Sequence, residues 1–297
     1  MQYQQLGKSS MQISRIGFGC MSLKPGQEDL YYLVNKAIEG GITYFDTADL
    51  YDRGLNEINI GKAVKNKRNK IILATKGGNE WISGEEGWNW NPSKSYLLKA
   101  VENSLERLQT DYIDLYQLHG GTINDNIDEV IEAFELMQQQ GKIRYYGISS
   151  IRPNVIKEYV NKSSMVSVMI QYSLLDRRSE EVCLPLLQEN NIGVLARGVL
   201  AKGVLVDKHA TAYLNYDERQ VYAASKVIKE IAGNRSNSSI AIQFALQNTA
   251  VTSAIIGIRT SQQLEDVLQS SIDVKLSADE MKALQLSIPL NYYEQHR

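Results

Sequence analysis

Tryptophan, cysteine, histidine and proline are all scarce in this chain of 297 residues: three, two, three and five respectively. Two cysteines, Cys20 and Cys183, lie far apart without a CxxC spacing. That excludes a disulfide scaffold, argues against a structural zinc site, and makes a reducing cytoplasm the expected compartment. Charge of one sign is also missing: 32 Lys+Arg face 34 Asp+Glu, a net charge of −2. Neither a nucleic-acid nor a membrane partner is therefore expected. No apolar run approaches the roughly 18 residues of a membrane-spanning helix. The opening Met1-Gln-Tyr-Gln-Gln-Leu-Gly-Lys is too polar for a signal peptide. What remains, 43% hydrophobic and 22% charged, is the composition of a globular protein.

Short runs rich in Val, Ile and Tyr recur along the chain. They predict strands at residues 15–20, 43–48, 71–76, 112–119, 143–149, 165–171, 193–197 and 251–257. Helical periodicity lies between them, as at 29–39, 94–108, 128–140 and 154–160. Strand and helix alternating over a whole chain imply parallel strands joined by helical crossovers. Near-continuous apolar runs such as Ile71-Ile-Leu-Ala74 suit strands buried on both faces. Eight such units favour a closed (β/α)₈ TIM barrel of the α/β class over an open sheet. Length divided by about 150 would allow two domains, but no linker or composition shift divides the chain. One domain over 1–297 is predicted. Gly40-Gly41 and Gly141 stop two helices, and Asn91-Pro92-Ser93 starts another.

Two connections exceed what a barrel needs. Residues 77–91 hold all three tryptophans, Trp81, Trp88 and Trp90, and residues 201–217 follow the seventh strand. Both leave strand C-terminal ends, the face on which barrel active sites are built. The tryptophans suggest a substrate wall, the alternative being that they pin the loop to the barrel.

Three successive strand ends carry Asp46 with Tyr51, then Lys76, then His119. A free phenol, with a pKa near 10, is a poor proton donor at neutral pH. A neighbouring ammonium stabilises the phenolate it leaves behind. An aspartate would hold the lysine charged and aimed, and a histidine would share the proton or hydrogen-bond a substrate oxygen. Each residue alone has an ordinary structural explanation. Together on one rim they read as a general acid aimed at a carbonyl.

With these residues in view the chain resembles the aldo-keto reductase family over nearly its whole length. The likeness includes Tyr3-x-x-Leu6-Gly7, Ile16-Gly-Phe-Gly-Cys-Met21, Gly41-Ile-Thr-Tyr-Phe-Asp-Thr-Ala48 with Tyr51, and Thr75-Lys76. It continues in Leu115-Tyr-Gln-Leu-His119, Gly147-Ile-Ser149, Tyr172-Ser-Leu-Leu-Asp-Arg177 and Ile256-Gly-Ile-Arg259. The resemblance implies an N-terminal β-hairpin over residues 3 to about 15 closing the barrel bottom. It implies Tyr51 as acid, Lys76 as the partner that eases its proton loss, Asp46 as partner of Lys76, and His119 orienting the carbonyl of a small-molecule substrate. The implied cofactor is NADPH, lying across the barrel's C-terminal face. No GxGxxG fingerprint follows a predicted strand, consistent with a cofactor site outside a Rossmann crevice.

By the same resemblance Gly19, Cys20 and Met21 lie beside the cofactor, with barrel-top packing the alternative for the last two. Ser149 and Ser150, the latter in place of a usual Asn, meet the nicotinamide carboxamide. Its usual Gln partner aligns with Met169, and Gln171, two residues on and on the same face, is the favoured substitute. Arg197 stands where many members stack an aromatic, followed by Gly198, Val199, Leu200, Lys202 and Gly203 in the cofactor-binding stretch. Gly257, Arg259, Thr260, Gln263 and Asp266 match the segment gripping the adenosine end. Arg259 and Thr260 at a helix start suit a 2′-phosphate. Val267 replaces an adenine-contacting Asn. The rival functions are a nucleotide-binding regulatory subunit and a Schiff-base aldolase using Lys76, which would need a lysine of depressed pKa. No metal is expected, and nothing in the sequence specifies an oligomeric state.

Overall fold

The computed structural model describes residues 1–82, 86–271 and 275–297. Eight parallel strands close into a barrel: β3 (Ile16–Gly19), β4 (Tyr44–Asp46), β5 (Ile72–Gly77), β8 (Ile113–Leu118), β9 (Ile143–Ser149), β10 (Ser167–Gln171), β11 (Gly193–Arg197) and β12 (Val251–Gly257). They pair in that order, and β12 returns to β3. The predicted strands are all present. Four are two or three residues shorter: the ends of β3, β4 and β8 already turn into the rim, as Thr47 and Ala48 do after β4, and β10 begins two residues later.

Helices α1 (Leu30–Glu39), α2 (Leu55–Val64), α3 (Lys94–Leu108), α4 (Ile127–Gln139), α5 (Pro153–Lys162) and α6 (Cys183–Glu189) form the crossovers of the first six units. Two helices, α7 (Glu218–Ala232) and α8 (Asn237–Leu246), occupy the seventh connection, and α9 (Ser261–Ser270) and α10 (Ala278–Leu286) follow the last strand. Local signals fix their ends. Ser93 caps α3 by accepting from the Tyr96 N–H, and Asp217 and Gln220 form a capping box at α7. Gly41 takes the positive φ (89°) that ends α1, a conformation without steric cost only for glycine. No helix among the described residues is long and apolar enough to cross a membrane.

The antiparallel hairpin of β1 (Tyr3–Gln5) and β2 (Gln12–Ser14) plugs the barrel bottom. Leu6, Met11 and Ile13 enter the barrel and pack with Tyr44, Ala74, Leu115, Met169, Leu195 and Ile255. Each fully buried aliphatic side chain stabilises by about 1.5–3 kcal/mol. Gly7 makes the close approach possible, since a Cβ there would stand 2.3 Å from the Val166 carbonyl oxygen.

That apolar layer dictates the next one. Side chains two apart on a strand share a face. Tyr44 is thus followed toward the C-terminal end by Asp46, Ala74 by Lys76, Leu115 by Gln117, Met169 by Gln171 and Leu195 by Arg197. An apolar floor therefore carries a polar layer directly above it.

Candidate active site

Lys76 is 1% exposed, and its ammonium donates to Asp46 Oδ1 at 2.5 Å, to the Thr47 carbonyl at 2.7 Å and to the Tyr51 hydroxyl at 3.4 Å. Its three donors are matched by three acceptors, which is what an interior ammonium requires. Burial alone would discharge it. The facing Asp46 carboxylate, with Tyr51, overrides that and lifts Lys76 above the ordinary lysine value. Asp46 is held in turn by Gln117, which donates to Oδ2 at 3.1 Å, and by the Tyr44 hydroxyl at 3.4 Å. Burial pushes the Asp46 carboxyl up, opposed by Lys76, Gln117 and Tyr44.

His119 sets its ring edge-on to Tyr51, with centroids 5.8 Å apart. Burial, together with the charges of Lys76 and Arg197, lowers it to about 3, so the imidazole is neutral at physiological pH. Its Nδ1 is buried without a partner among the described residues. An unpaired acceptor is easier to bury than an unpaired N–H, which favours the tautomer carrying its proton on Nε2.

Tyr51 lies in a tight turn, Tyr51–Gly54, where Asp52 and Arg53 adopt positive φ of 49° and 54°. Glu57 of α2, fully buried, braces this turn. It accepts from Arg107 Nε at 2.6 Å and from Thr75 Oγ1 at 2.5 Å, linking α2, α3 and the residue before Lys76. Asn56 ties the rim together by accepting from Thr47 Oγ1 at 2.7 Å and donating to the Cys20 and Leu23 carbonyls.

These groups open onto a cavity of about 1110 Å³, just above the roughly 300–1,000 Å³ usual for small-molecule sites. Asp46, Tyr51 and His119 line it, as do Gly19, Met21, Ser149, Ser150, Met169, Gln171, Arg197–Leu200, Lys202, Gly203, Gly257, Arg259, Gln263 and Asp266. Both carboxamide candidates thus reach it, but only Gln171 brings polar atoms. Its amide donates to the Tyr213 hydroxyl at 2.9 Å and accepts from Arg197 at 3.3 Å.

Cys20 and Thr260 are absent from the lining. Cys20 is packed in the core beneath the rim, and Thr260 turns its hydroxyl to cap α9 through the Gln263 N–H. The tryptophans do not form a cavity wall either, because their loop folds on itself as an antiparallel hairpin of β6 (Asn79–Trp81) and β7 (Trp88–Trp90). Trp90 donates to Asp125 at 3.0 Å and packs over Gly78 and Gly120. The Arg53 guanidinium lies 4.8 Å from the Trp81 ring, and Trp88 is 48% exposed. The alternative of pinning the loop describes Trp90 well.

Sequence reasoning passed over Gln117 and Tyr44, although a polar group on the inward face of a barrel strand is itself a signal. It also passed over Lys24, Lys208, Arg152 and Tyr213, which loops bring to the cavity and which no periodicity marks. Six cations, Lys24, Arg152, Arg197, Lys202, Lys208 and Arg259, line the cavity, and none forms a salt bridge among the described residues. Such a donor set fits an elongated polyanion.

Residues 15–288 match the family model for the aldo/keto reductase family. Over 306 aligned positions and the full length of both proteins, the chain is 51% identical to the uncharacterized oxidoreductase YqkF of Bacillus subtilis (strain 168). It is 30% identical to the aldo-keto reductase YhdN of the same organism, over 89% of this chain and 87% of that one. The holo form of aldo-keto reductase AKR11C1 from Bacillus halodurans superposes with a TM-score of 0.94 at 48% identity, covering 100% of this chain and 99% of that one. The sequence and fold comparisons agree that this chain belongs to the aldo/keto reductase family.

Proposed function

We propose that the chain reduces an aldehyde or ketone with NADPH, Tyr51 donating the proton to the carbonyl oxygen. The reading rests on one observation: the unbroken line from Asp46 through Lys76 to the Tyr51 hydroxyl, with gaps of 2.5 and 3.4 Å. When bound, a reduced nicotinamide supplies the hydride. Tyr51 then gives up its phenolic proton to the oxygen that gains negative charge, and the phenolate left behind faces the Lys76 ammonium. Asp46 keeps that ammonium protonated and aimed. His119, being neutral, donates a hydrogen bond to the same oxygen and does not compete as an acid. A raised Lys76 also counts against the aldolase reading, which needs a neutral amine.

The cavity cations support a dinucleotide. Arg197, Lys202 and Lys208 follow β11, suited to the pyrophosphate. Arg259 follows β12, and its carbonyl accepts from Gln27 at 2.9 Å, close in sequence to Lys24. Two cations at that end, neither in a salt bridge among the described residues, favour a 2′-phosphate, hence NADPH over NADH. Ser149, Ser150 and Gln171 supply the polar edge for the carboxamide. Two buried free thiols are in keeping with a cytoplasmic setting.

Purified protein mixed with NADPH and a panel of aromatic and aliphatic aldehydes should oxidise the cofactor, and more slowly with NADH. Tight NADPH binding without oxidation of any aldehyde would replace this reading with nucleotide sensing. Borohydride trapping of a carbonyl on Lys76 would replace it with the aldolase. Separately, Arg197→Ala should weaken NADPH binding about 10–100-fold in a fluorescence titration, as expected for loss of a hydrogen bond to a charged group. An unchanged Kd would remove Arg197 from the cofactor site.

A further inference from the structure

We infer that the substrate side of the cavity recognises an anion, with Arg152 binding a carboxylate set apart from the reacting carbonyl. This rests on the carbonyl-reduction reading above and names the class of substrate within it. The argument starts from strand order. The cations assigned to the dinucleotide follow β11, β12 and β3, which are consecutive in the barrel wall. Arg152 follows β9. The next strand on one side is β8, which delivers His119, and on the other β10, which delivers Gln171. Two strand positions therefore separate Arg152 from the nearest phosphate-side cation, and it stands between His119, which meets the substrate carbonyl, and Gln171 at the carboxamide edge.

The side chain is also built to receive a ligand. Arg152 lines the cavity and donates through one terminal nitrogen, Nη1, to the carbonyl of Gly121, two residues past His119. Its backbone N–H donates to Ser150 Oγ at 3.2 Å. Pro153 then opens α5, and the Asn154 N–H donates to the His296 carbonyl at 2.9 Å, so the C-terminal tail fastens the same corner. The Nη1 contact anchors one end of the guanidinium. The opposite edge, Nε with Nη2, has no hydrogen-bond or carboxylate partner among the described residues. A guanidinium edge offers two parallel donors, matching the two oxygens of a carboxylate. Among the described residues, Arg152 is the cavity cation on this flank.

The substrate class that follows is an oxo-acid, an aldehyde or ketone with a carboxylate elsewhere in the molecule. The test compares 3- and 4-formylbenzoate with their methyl esters, which differ in charge while keeping the ring and the aldehyde. The wild-type enzyme should show a higher kcat/KM for at least one acid than for its ester. In Arg152→Gln the acid-to-ester ratio should fall about 10–100-fold, carried mainly by KM, and Arg152→Lys should restore part of it through a single-point contact. No preference for either acid in the wild type would overturn the inference. So would equal slowing of acid and ester in Arg152→Gln, which would leave Arg152 only the task of tying two loops. Binding of 3- and 4-(hydroxymethyl)benzoate in the presence of NADP⁺ reads the same contact without turnover. An acid that binds wild type but not Arg152→Gln, in an enzyme that oxidises no NADPH, would uphold Arg152 and sink the reduction itself. Equal binding to both proteins would sink Arg152 whatever the activity.

Discussion

Tyr51→Phe is expected to lower kcat for carbonyl reduction by about 10²–10⁴-fold, the range that a positioned general acid contributes. That corresponds to about 3–5 kcal/mol of transition-state stabilisation. The substitution removes one oxygen and little else. The ring keeps its edge-on contact with His119, and Lys76 retains Asp46 and the Thr47 carbonyl. Single-turnover NADPH oxidation measures the loss, and an equilibrium titration should give an NADPH Kd within about twofold of wild type. A variant that keeps the full rate would remove Tyr51 as the acid. Lys76→Met is the less informative experiment. It strands Asp46 in the interior without its counter-ion, a destabilisation of about 3–5 kcal/mol that mixes folding with catalysis.

Asp49→Asn should change how stability depends on pH, and strongly. Asp49 is buried, its Oδ1 has no partner among the described residues, the Leu50 backbone N–H hydrogen-bonds the carboxyl, and its own backbone N–H donates to the Lys76 carbonyl at 3.1 Å. The charged and titratable groups around it are Glu57, Arg107, Lys76, Tyr96 and Tyr116. Arg107 is already committed to Glu57. Burial first, and then the Glu57 carboxylate, raise Asp49 from an ordinary 3.8 to about 8, with Arg107 opposing. A folded value above the unfolded one means that the native state binds more protons across that window. Stability therefore falls as pH rises from about 4 to about 8, by on the order of 5 kcal/mol in total. Asparagine has nothing to ionise. The Tm advantage of Asp49→Asn should be small at pH 5, grow toward pH 8 and then level off. Parallel wild-type and variant curves between pH 5 and 9 would show that Asp49 has a partner in solution.

The strands were legible because parallel strands covered on both faces are written as apolar runs, and residues 143–149, 193–197 and 251–257 match the observed limits. The four rim groups were legible because their side-chain types make chemical sense only together. The rest depended on which way a side chain turns. Gln117 lies on the inward series that runs from Leu115 and was in principle readable. Cys20 and Thr260 adjoin lining residues in sequence but turn inward to the core and back to a helix end. The tryptophans were read from the position of their loop, and it was strand pairing within that loop, Trp81 opposite Trp88, that gave them other work. Arg152 and Lys208 reach the cavity through tertiary folding of connections whose sequence has no period to reveal them.

The plug formed by Leu6, Met11 and Ile13 makes the barrel a vessel with a single mouth. On the proposed reading, the proton that Tyr51 gives away is replaced through that mouth, since the floor below is built of Leu6, Met11, Ile13, Ala74, Leu115, Met169, Leu195 and Ile255, and Tyr44 turns its hydroxyl up to Asp46. Lys76 and Asp46 lie deeper still, so their shared proton exchanges with bulk water by the same route that substrate and dinucleotide use to enter and leave. Recharging the acid and exchanging the ligands therefore compete for one passage. On the same reading, turnover is paced in part by traffic at the rim, where the loops after β9 and β11 stand.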